Sequence, residues 1–265
     1  MVRSDIEPLY GWAAGAIRDD AGGAAPQIAV VVPMHNEEEN AAELIGEIAT
    51  ALAPVGSFEI IAVNDASTDN TLGVLTGLKD THKELRVLSH KQNAGQSRAV
   101  RTGVIAARAP IIATLDGDGQ NDPADIPALF ARLTRKDAPP LLAMLAGERA
   151  KRQDSAAKKF ASRFANGLRK RVLKDGANDT GCGLKVFYRG AFLRLPYFDH
   201  IHRYLPALMV REGLTVEFMA VNHRPRLHGT SKYNNLKRAR VAIRDMMGVI
   251  WLQARARQPG EIEES

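Results

Sequence analysis

The chain carries Asp116-Gly117-Asp118-Gly119-Gln120 directly after the apolar run at 110–115. Two carboxylates at i and i+2, just past a strand, can converge on one hard cation, and the glycines beside them permit a tight turn. Mg²⁺ or Mn²⁺ held by one or two carboxylates plus substrate phosphates is the usual arrangement for a nucleotide diphosphate, and the cation steadies the departing phosphate. A lone Asp-x-Asp arises by chance in many loops. Its weight here comes from its neighbours: two earlier apolar runs end in Pro33-Met34-His35-Asn36-Glu37 and in Asn64-Asp65-Ala66-Ser67-Thr68-Asp69. Carboxylates therefore collect at several strand ends, and such a cluster repels itself unless a cation or hydrogen-bond donors neutralise it.

The elements that must position these residues alternate along the chain. IAVVVP (28–33), FEIIAV (58–63), LRVLSH (85–90) and PIIATL (110–115) are short apolar runs, and a further strand is expected at 141–146. Between them the pattern predicts a helix capped by Asn36 and running to about Leu52, one after Asp69, one over 96–108 and one over 125–134. The second half is less regular. Helices are expected at 155–174, 201–212 and 235–257, and strands at 186–188 and 214–221. Strands alternating with helices imply an α/β domain built on a mostly parallel, doubly wound sheet flanked by helices, with ligands beyond the carboxyl ends of the strands. The expected organisation is an N-terminal arm over 1–26, the α/β domain over 27–233, and a C-terminal amphipathic helix and tail over 234–265.

The ordered segments PMHNEEEN, VNDASTDNT, NAGQSRAVRTG and DGDGQNDP resemble the family 2 glycosyltransferases, whose fold is the Rossmann-like GT-A type. DTGCGLKVFYR, HRYLPALMVREG and RPRLHGTSKYN resemble the dolichyl-phosphate mannosyltransferase branch and its bacterial polyprenyl-phosphate relatives. The resemblance covers roughly 27–240, with the motifs in order. It implies a nucleotide-sugar donor, a polyprenyl phosphate acceptor, Mg²⁺ or Mn²⁺, and inversion at the anomeric carbon.

The implied roles follow position by position. Pro33, His35 and Glu37 match the motif that holds base and ribose, and Asp65 matches the acid that contacts the nucleoside. Asp116 and Asp118 match the metal-binding pair, with Gln120 as a polar neighbour that helps bind the cation. Arg149 matches a basic position near the transferred phosphate, Lys158 and Ser162 further acceptor-phosphate contacts, and Arg226, Ser231 and Lys232 the motif that closes over the site. Asp179 is a candidate for contacting the donor sugar or orienting the acceptor; a turn-forming Asp before Gly181 is the competing account. His35 stands where the family more commonly carries an aromatic residue.

Composition agrees with an ordinary globular protein: 265 residues, 45% hydrophobic, 25% charged, net charge +6. The basic excess favours an anionic partner. Binding motifs and aromatic stacking patches for nucleic acid are lacking, and the acidic rim opposes it. A family 2 enzyme acting on a saccharide hydroxyl is the nearer alternative. It needs a carboxylate base, for which Asp179 and Asp199 are the candidates. The single Cys182 fits a reducing compartment and a packed small residue better than a nucleophile. His200, His202, His223 and His228 show no zinc spacing, although His202-Arg203 is a possible phosphate contact. No run is long and apolar enough to span a bilayer, and the start is not a signal peptide. The chain is therefore expected to be soluble or peripheral, and the lipid acceptor that the resemblance implies makes a membrane surface the expected partner, met from the cytoplasmic side. Phe160, Phe164, Leu168 and Val172 on one helix, and Met246, Met247, Ile250 and Trp251 on another, could face it; packing on the sheet and a dimer contact compete.

Overall fold

A computed structural model describes residues 25–149, 172–225 and 235–257, the last with side chains from Val241 onward. Four apolar runs form the heart of one sheet: β1 (Ile28–Met34), β2 (Phe58–Asp65), β3 (Leu85–His90) and β4 (Ile111–Thr114). Every residue of β1 and β4 is buried, as expected of strands covered on both faces. β5 (Leu142–Arg149), β6 (Lys185–Tyr188) and β7 (Thr215–Val221) complete seven strands in the order β3-β2-β1-β4-β6-β5-β7.

The helices are α1 (Glu38–Leu52), α2 (Thr71–Leu78), α3 (Gln96–Ala106), α4 (Ile126–Leu133), α5 (Arg189–Arg194), α6 (Leu205–Arg211) and α7 (Asn235–Ala254). From β1 the chain winds outward through α1 and α2 to β3, then returns through α3 to β4 on the other side of β1. Right-handed crossovers put the outward and returning helices on opposite faces. α3 lies so close to the sheet that a Cβ on Gly103 would stand 2.4 Å from Val31 Cγ1.

The sheet is mostly parallel, as expected, and one strand is the exception. β6 runs antiparallel to both β4 and β5, while β5 and β7 are parallel. Other expectations shift in detail. The span 201–212 is a 3₁₀ turn at Ile201–Arg203 followed by α6, and α5 was not foreseen. Asn36 does not cap α1. It adopts φ 59, and its Oδ1 accepts from Thr68 N at 2.7 Å while its own N–H donates to Ser67 Oγ at 3.0 Å. It clasps the end of β1 to the end of β2 instead. The arm expected over 1–26, all but its last two residues, and most of the helix expected over 155–174 lie outside the described residues. No helix among the described residues is long and apolar enough to cross a membrane.

At the opposite end of the sheet, buried Glu59 accepts from Arg86 Nη1 at 2.6 Å and from the backbone N–H groups of Arg108 and Ala109 at 2.6 and 3.1 Å. This fixes where α3 gives way to β4. The α3–β1 contact sets the position of the site-facing end of α3. Gly103→Ala is expected to lower the unfolding free energy by about 1–3 kcal/mol, read as a lower urea midpoint at unchanged slope.

Candidate active site

The strand order reverses direction between β1 and β4, and the crevice at their carboxyl ends is where an open α/β sheet receives a ligand. Two chain segments meet there. A Cβ on Gly117 would stand 2.8 Å from the Pro33 carbonyl oxygen, so the loop after β4 lies directly on the end of β1. Gly119 takes φ 69, which turns that loop. The two glycines thus have different jobs: one permits close approach, the other a left-handed turn.

Asp116 is gripped from several sides. Gln96 Nε2, at the start of α3, donates to its Oδ1 at 2.6 Å, and its backbone N–H donates to Asn121 Oδ1 at 3.2 Å. A Cβ on Gly183 would sit 2.5 Å from the Asp116 carboxyl, so only glycine fits opposite it. Asp118 Oδ1 accepts from Gln120 N at 3.2 Å, and the Gln120 carbonyl accepts from Arg224 N at 2.9 Å. Burial and then the charge of Asp118 push the Asp116 carboxyl up to about 6, against the opposing influences of Lys185, Gln96 and Arg149.

A divalent cation suits this arrangement, because a partly buried carboxyl beside a second carboxylate is relieved by positive charge. Among the described residues no group of three or more acidic, histidine or cysteine side chains gathers into a metal set. Asp116 and Asp118 would hold the ion, with Gln120 on the same loop, leaving the remaining positions to substrate oxygens and water.

The other expected nucleotide contacts share this rim. Asp65 is buried at the end of β2. Its carboxylate accepts from Ala94 N at 2.9 Å and Gly95 N at 2.8 Å and pairs with His90 Nδ1 at 2.7 Å. It therefore builds the turn that launches α3. His35 is exposed, with Nδ1 2.9 Å from the Asp65 carbonyl oxygen, so that nitrogen carries the proton and the ring is held in place. Glu37 sits beside them, its N–H bonded to Thr71 Oγ1 and its Oε2 accepting from Asn40.

Arg149 and Asp179 meet each other. Arg149 Nε and Nη2 donate to the two oxygens of Asp179 at 2.5 and 2.7 Å, a two-pronged ion pair. Asp179 also accepts from Gly181 N at 3.1 Å, so the turn-forming account holds alongside the pairing. Burial acts to raise the Asp179 carboxyl, but the hydrogen bonds and charge of Arg149 outweigh it and hold the group below the usual carboxylate range. A Cβ on Gly181 would meet Arg149 Nη2 at 2.9 Å. The glycines of Asp179-Thr-Gly-Cys-Gly thus leave room for two charged side chains, Arg149 and Asp116.

Sequence reasoning overlooked Lys185. It is buried at the start of β6, donates to the Cys182 carbonyl, and interacts electrostatically with both Asp116 and Asp179. Burial pulls its own pKa down. A lone lysine opening the apolar run KVFY was the available signal. Gln96 lay in a quoted motif without a role. Cys182 is buried and packed, as expected, and burial raises its thiol pKa. His202 makes a 2.7 Å bond with Ser97 Oγ, and burial pulls its pKa well below the ordinary value. Lys158, Ser162, Arg226, Ser231 and Lys232 lie outside the described residues.

Comparison with known proteins gives a consistent picture. The family model described as Glycosyl transferase family 2 matches residues 29–195. The chain is 34% identical over 241 residues to a dodecaprenyl-phosphate galacturonate synthase of Rhizobium johnstonii, covering 88% of this chain and 69% of that protein. It is 32% identical to an undecaprenyl-phosphate 4-deoxy-4-formamido-L-arabinose transferase of Pectobacterium carotovorum, covering 79% of this chain but only 63% of that longer relative. Among solved structures, a mannosyltransferase of Pyrobaculum calidifontis in complex with GDP-Man and Mn²⁺ superposes with TM-score 0.62 at 18% identity, covering 98% of this chain and 74% of that one. A glucosyl-3-phosphoglycerate synthase of Mycobacterium tuberculosis gives 0.63 at 15% identity, covering 98% and 86%. At that identity the two structures speak for the fold alone.

The acidity of Asp116 sets a pH signature. Because the folded carboxyl titrates higher than an unfolded one, its contribution to metal-free stability is complete below about pH 4 and is lost as pH rises through about 6. Cation binding runs the opposite way, since a proton must leave first. Thermal stabilisation by Mn²⁺ is expected to grow as pH rises through about 6 and to level off above it. In Asp116→Asn that inflection disappears. Melting curves at fixed Mn²⁺ between pH 5 and 8 check both.

Proposed function

The chain belongs to glycosyl transferase family 2, and from that premise we propose that it moves a sugar from a GDP- or UDP-linked donor onto a polyprenyl phosphate, with inversion at the anomeric carbon. Two relatives above 30% identity are polyprenyl-phosphate sugar transferases by name, which supports this acceptor. The observation that carries the reading is the Arg149–Asp179 pair. A sugar hydroxyl acceptor requires a carboxylate base, and Asp179 was one of two candidates, beside Asp199. Bound in a fork and with its acidity increased, it makes a weak base. A phosphate monoester needs no such help, because its second pKa is about 6 and it is largely ionised at neutral pH. It needs positioning and charge neutralisation, which a guanidinium held in a fixed plane supplies.

In this reading a phosphate oxygen of the lipid attacks C1 of the sugar from the face opposite the diphosphate. The C1–O bond to the diphosphate breaks and its electron pair leaves with the nucleotide. Asp116 and Asp118, with Gln120, would hold Mg²⁺ or Mn²⁺, which would supply charge stabilisation to the departing diphosphate. Pro33, His35, Glu37 and Asp65 frame the nucleoside. Arg149 stands by the transferred phosphate, joined by Lys158, Ser162, Arg226, Ser231 and Lys232 in the roles the family resemblance gives them. Because a polyprenyl tail resides in a bilayer, the enzyme works peripherally at a membrane, on its cytoplasmic face. The buried unpaired cysteine accords with a reducing compartment.

The test is transfer of labelled sugar from a panel of GDP- and UDP-sugars into solvent-extractable polyprenyl phosphate with Mn²⁺ or Mg²⁺. One donor is expected to label the lipid, and Asp118→Ala to slow that transfer at least about a hundredfold. Label that reaches only a water-soluble saccharide would overturn the acceptor and leave the donor half standing.

A further inference from the structure

We propose that the outer face of α7 is a docking surface for an anionic phospholipid bilayer. The inference rests on the lipid-acceptor reading for its use, but its geometry is independent of it. α7 is fastened to the domain by one side. Val249 is fully buried, Met246 and Leu252 pack on the core, Asp245 pairs with His200 Nδ1 at 3.0 Å, and the Ala242 carbonyl accepts from Tyr204 Oη at 3.0 Å. The opposite side is not polar, as a solvent face would be. Ile243, Met247, Ile250 and Trp251 are 54%, 58%, 37% and 60% exposed. Spaced at i, i+4, i+7 and i+8, they form one stripe about 12 Å long.

The charges beside the stripe select its partner. Arg244, Arg255 and Arg257 are exposed, and the Arg255 guanidinium lies 5.9 Å from the centre of the Trp251 ring. The only acid between 241 and 257 is Asp245, which is turned inward to His200. The exposed side of the helix is thus apolar and purely cationic. A second copy of this stripe, set against it about a two-fold axis, would bring arginine to arginine. A bilayer with anionic headgroups takes both parts: the aliphatic side chains and indole enter the headgroup boundary while the arginines reach phosphate.

Docking there also serves the site. The loop that grips α7 through His200 and Tyr204 carries His202, which bonds Ser97, and the adjoining Gln96 holds Asp116. A lipid phosphate presented at the bilayer surface is thereby offered near the carboxylate rim.

The experiment is vesicle co-sedimentation of the full chain, using phosphatidylcholine alone or mixed equally with phosphatidylglycerol. It is paired with transfer assays on a bilayer-embedded polyprenyl phosphate and on a short-chain, water-soluble one. The wild type is expected to bind the mixed vesicles and to bind phosphatidylcholine weakly. Met247→Ser with Trp251→Ser should weaken binding at least about tenfold, because two large apolar side chains are lost from the contact. Arg244→Glu with Arg255→Glu should abolish the preference for the anionic lipid. Both double variants should keep transfer to the soluble acceptor and lose it to the embedded one. Unchanged vesicle binding in both variants overturns the proposal. So does a wild-type dimer that the Met247/Trp251 variant converts to monomer without loss of vesicle binding, since a second copy then covers the stripe. Vesicle binding that follows the variants as expected, with no lipid labelled by any form of the enzyme, leaves the docking surface standing and overturns the acceptor reading.

Discussion

Two carboxylates two residues apart at the mouth of a sheet repel each other, and most of what surrounds them is arranged around that repulsion. Asp116 has Gly183 on one side because no side chain fits between its carboxyl and the backbone of the neighbouring turn. Gln96 donates to it from the first residue of α3, and buried Lys185 supplies a compensating charge from β6. The position of α3 depends in turn on Asp65, which gathers the backbone of the preceding turn, and on Gly103, which lets the helix lie against β1. The acidic rim is thus a metastable concentration of charge held by parts from four strands and a helix, ready for a cation and costly without one.

How much of this the sequence disclosed follows from how local each determinant is. β1, β2 and β4 were legible because strands buried on both faces read as unbroken apolar runs, and the Asp-x-Asp pair was legible because its spacing and glycines are contiguous. The direction of β6 was not. Four residues, KVFY, carry no signal for antiparallel pairing, which is settled by the long excursion that brings the chain back between β4 and β5. Asn36 has the residue type of a helix cap, but its side chain found better partners across the crevice in the loop after β2. Lys185 and the Arg149–Asp179 pair were missed for the same reason: partners 30 or more positions away, or reached only through packing, leave no periodic trace.

The Arg149–Asp179 pair changes what kind of site this is. Each residue was expected to act separately. Joined, they form a rigid, net-neutral ion pair beside the carboxylates of Asp116 and Asp118, with Gly181 and Gly183 keeping it and Asp116 clear of the intervening turn. Asp179, its acidity increased by the pairing, is a weak base in this setting.

The stitch between the ends of the chain has a consequence for synthesis. Arg224 bonds Glu47 and Asp122, partners 177 and 102 residues earlier, and its backbone N–H closes on the Gln120 carbonyl. β1, β2 and β3 pair 25 to 30 residues apart and β4 joins β1 across 83, all shorter spans than the one that brings in Arg224. The loop bearing Asp116 and Asp118 cannot reach its final shape until residues more than a hundred positions later have been made. The order of folding thus runs from sheet to rim, and the loop that ends at Gln120 is completed only once Arg224 is in place.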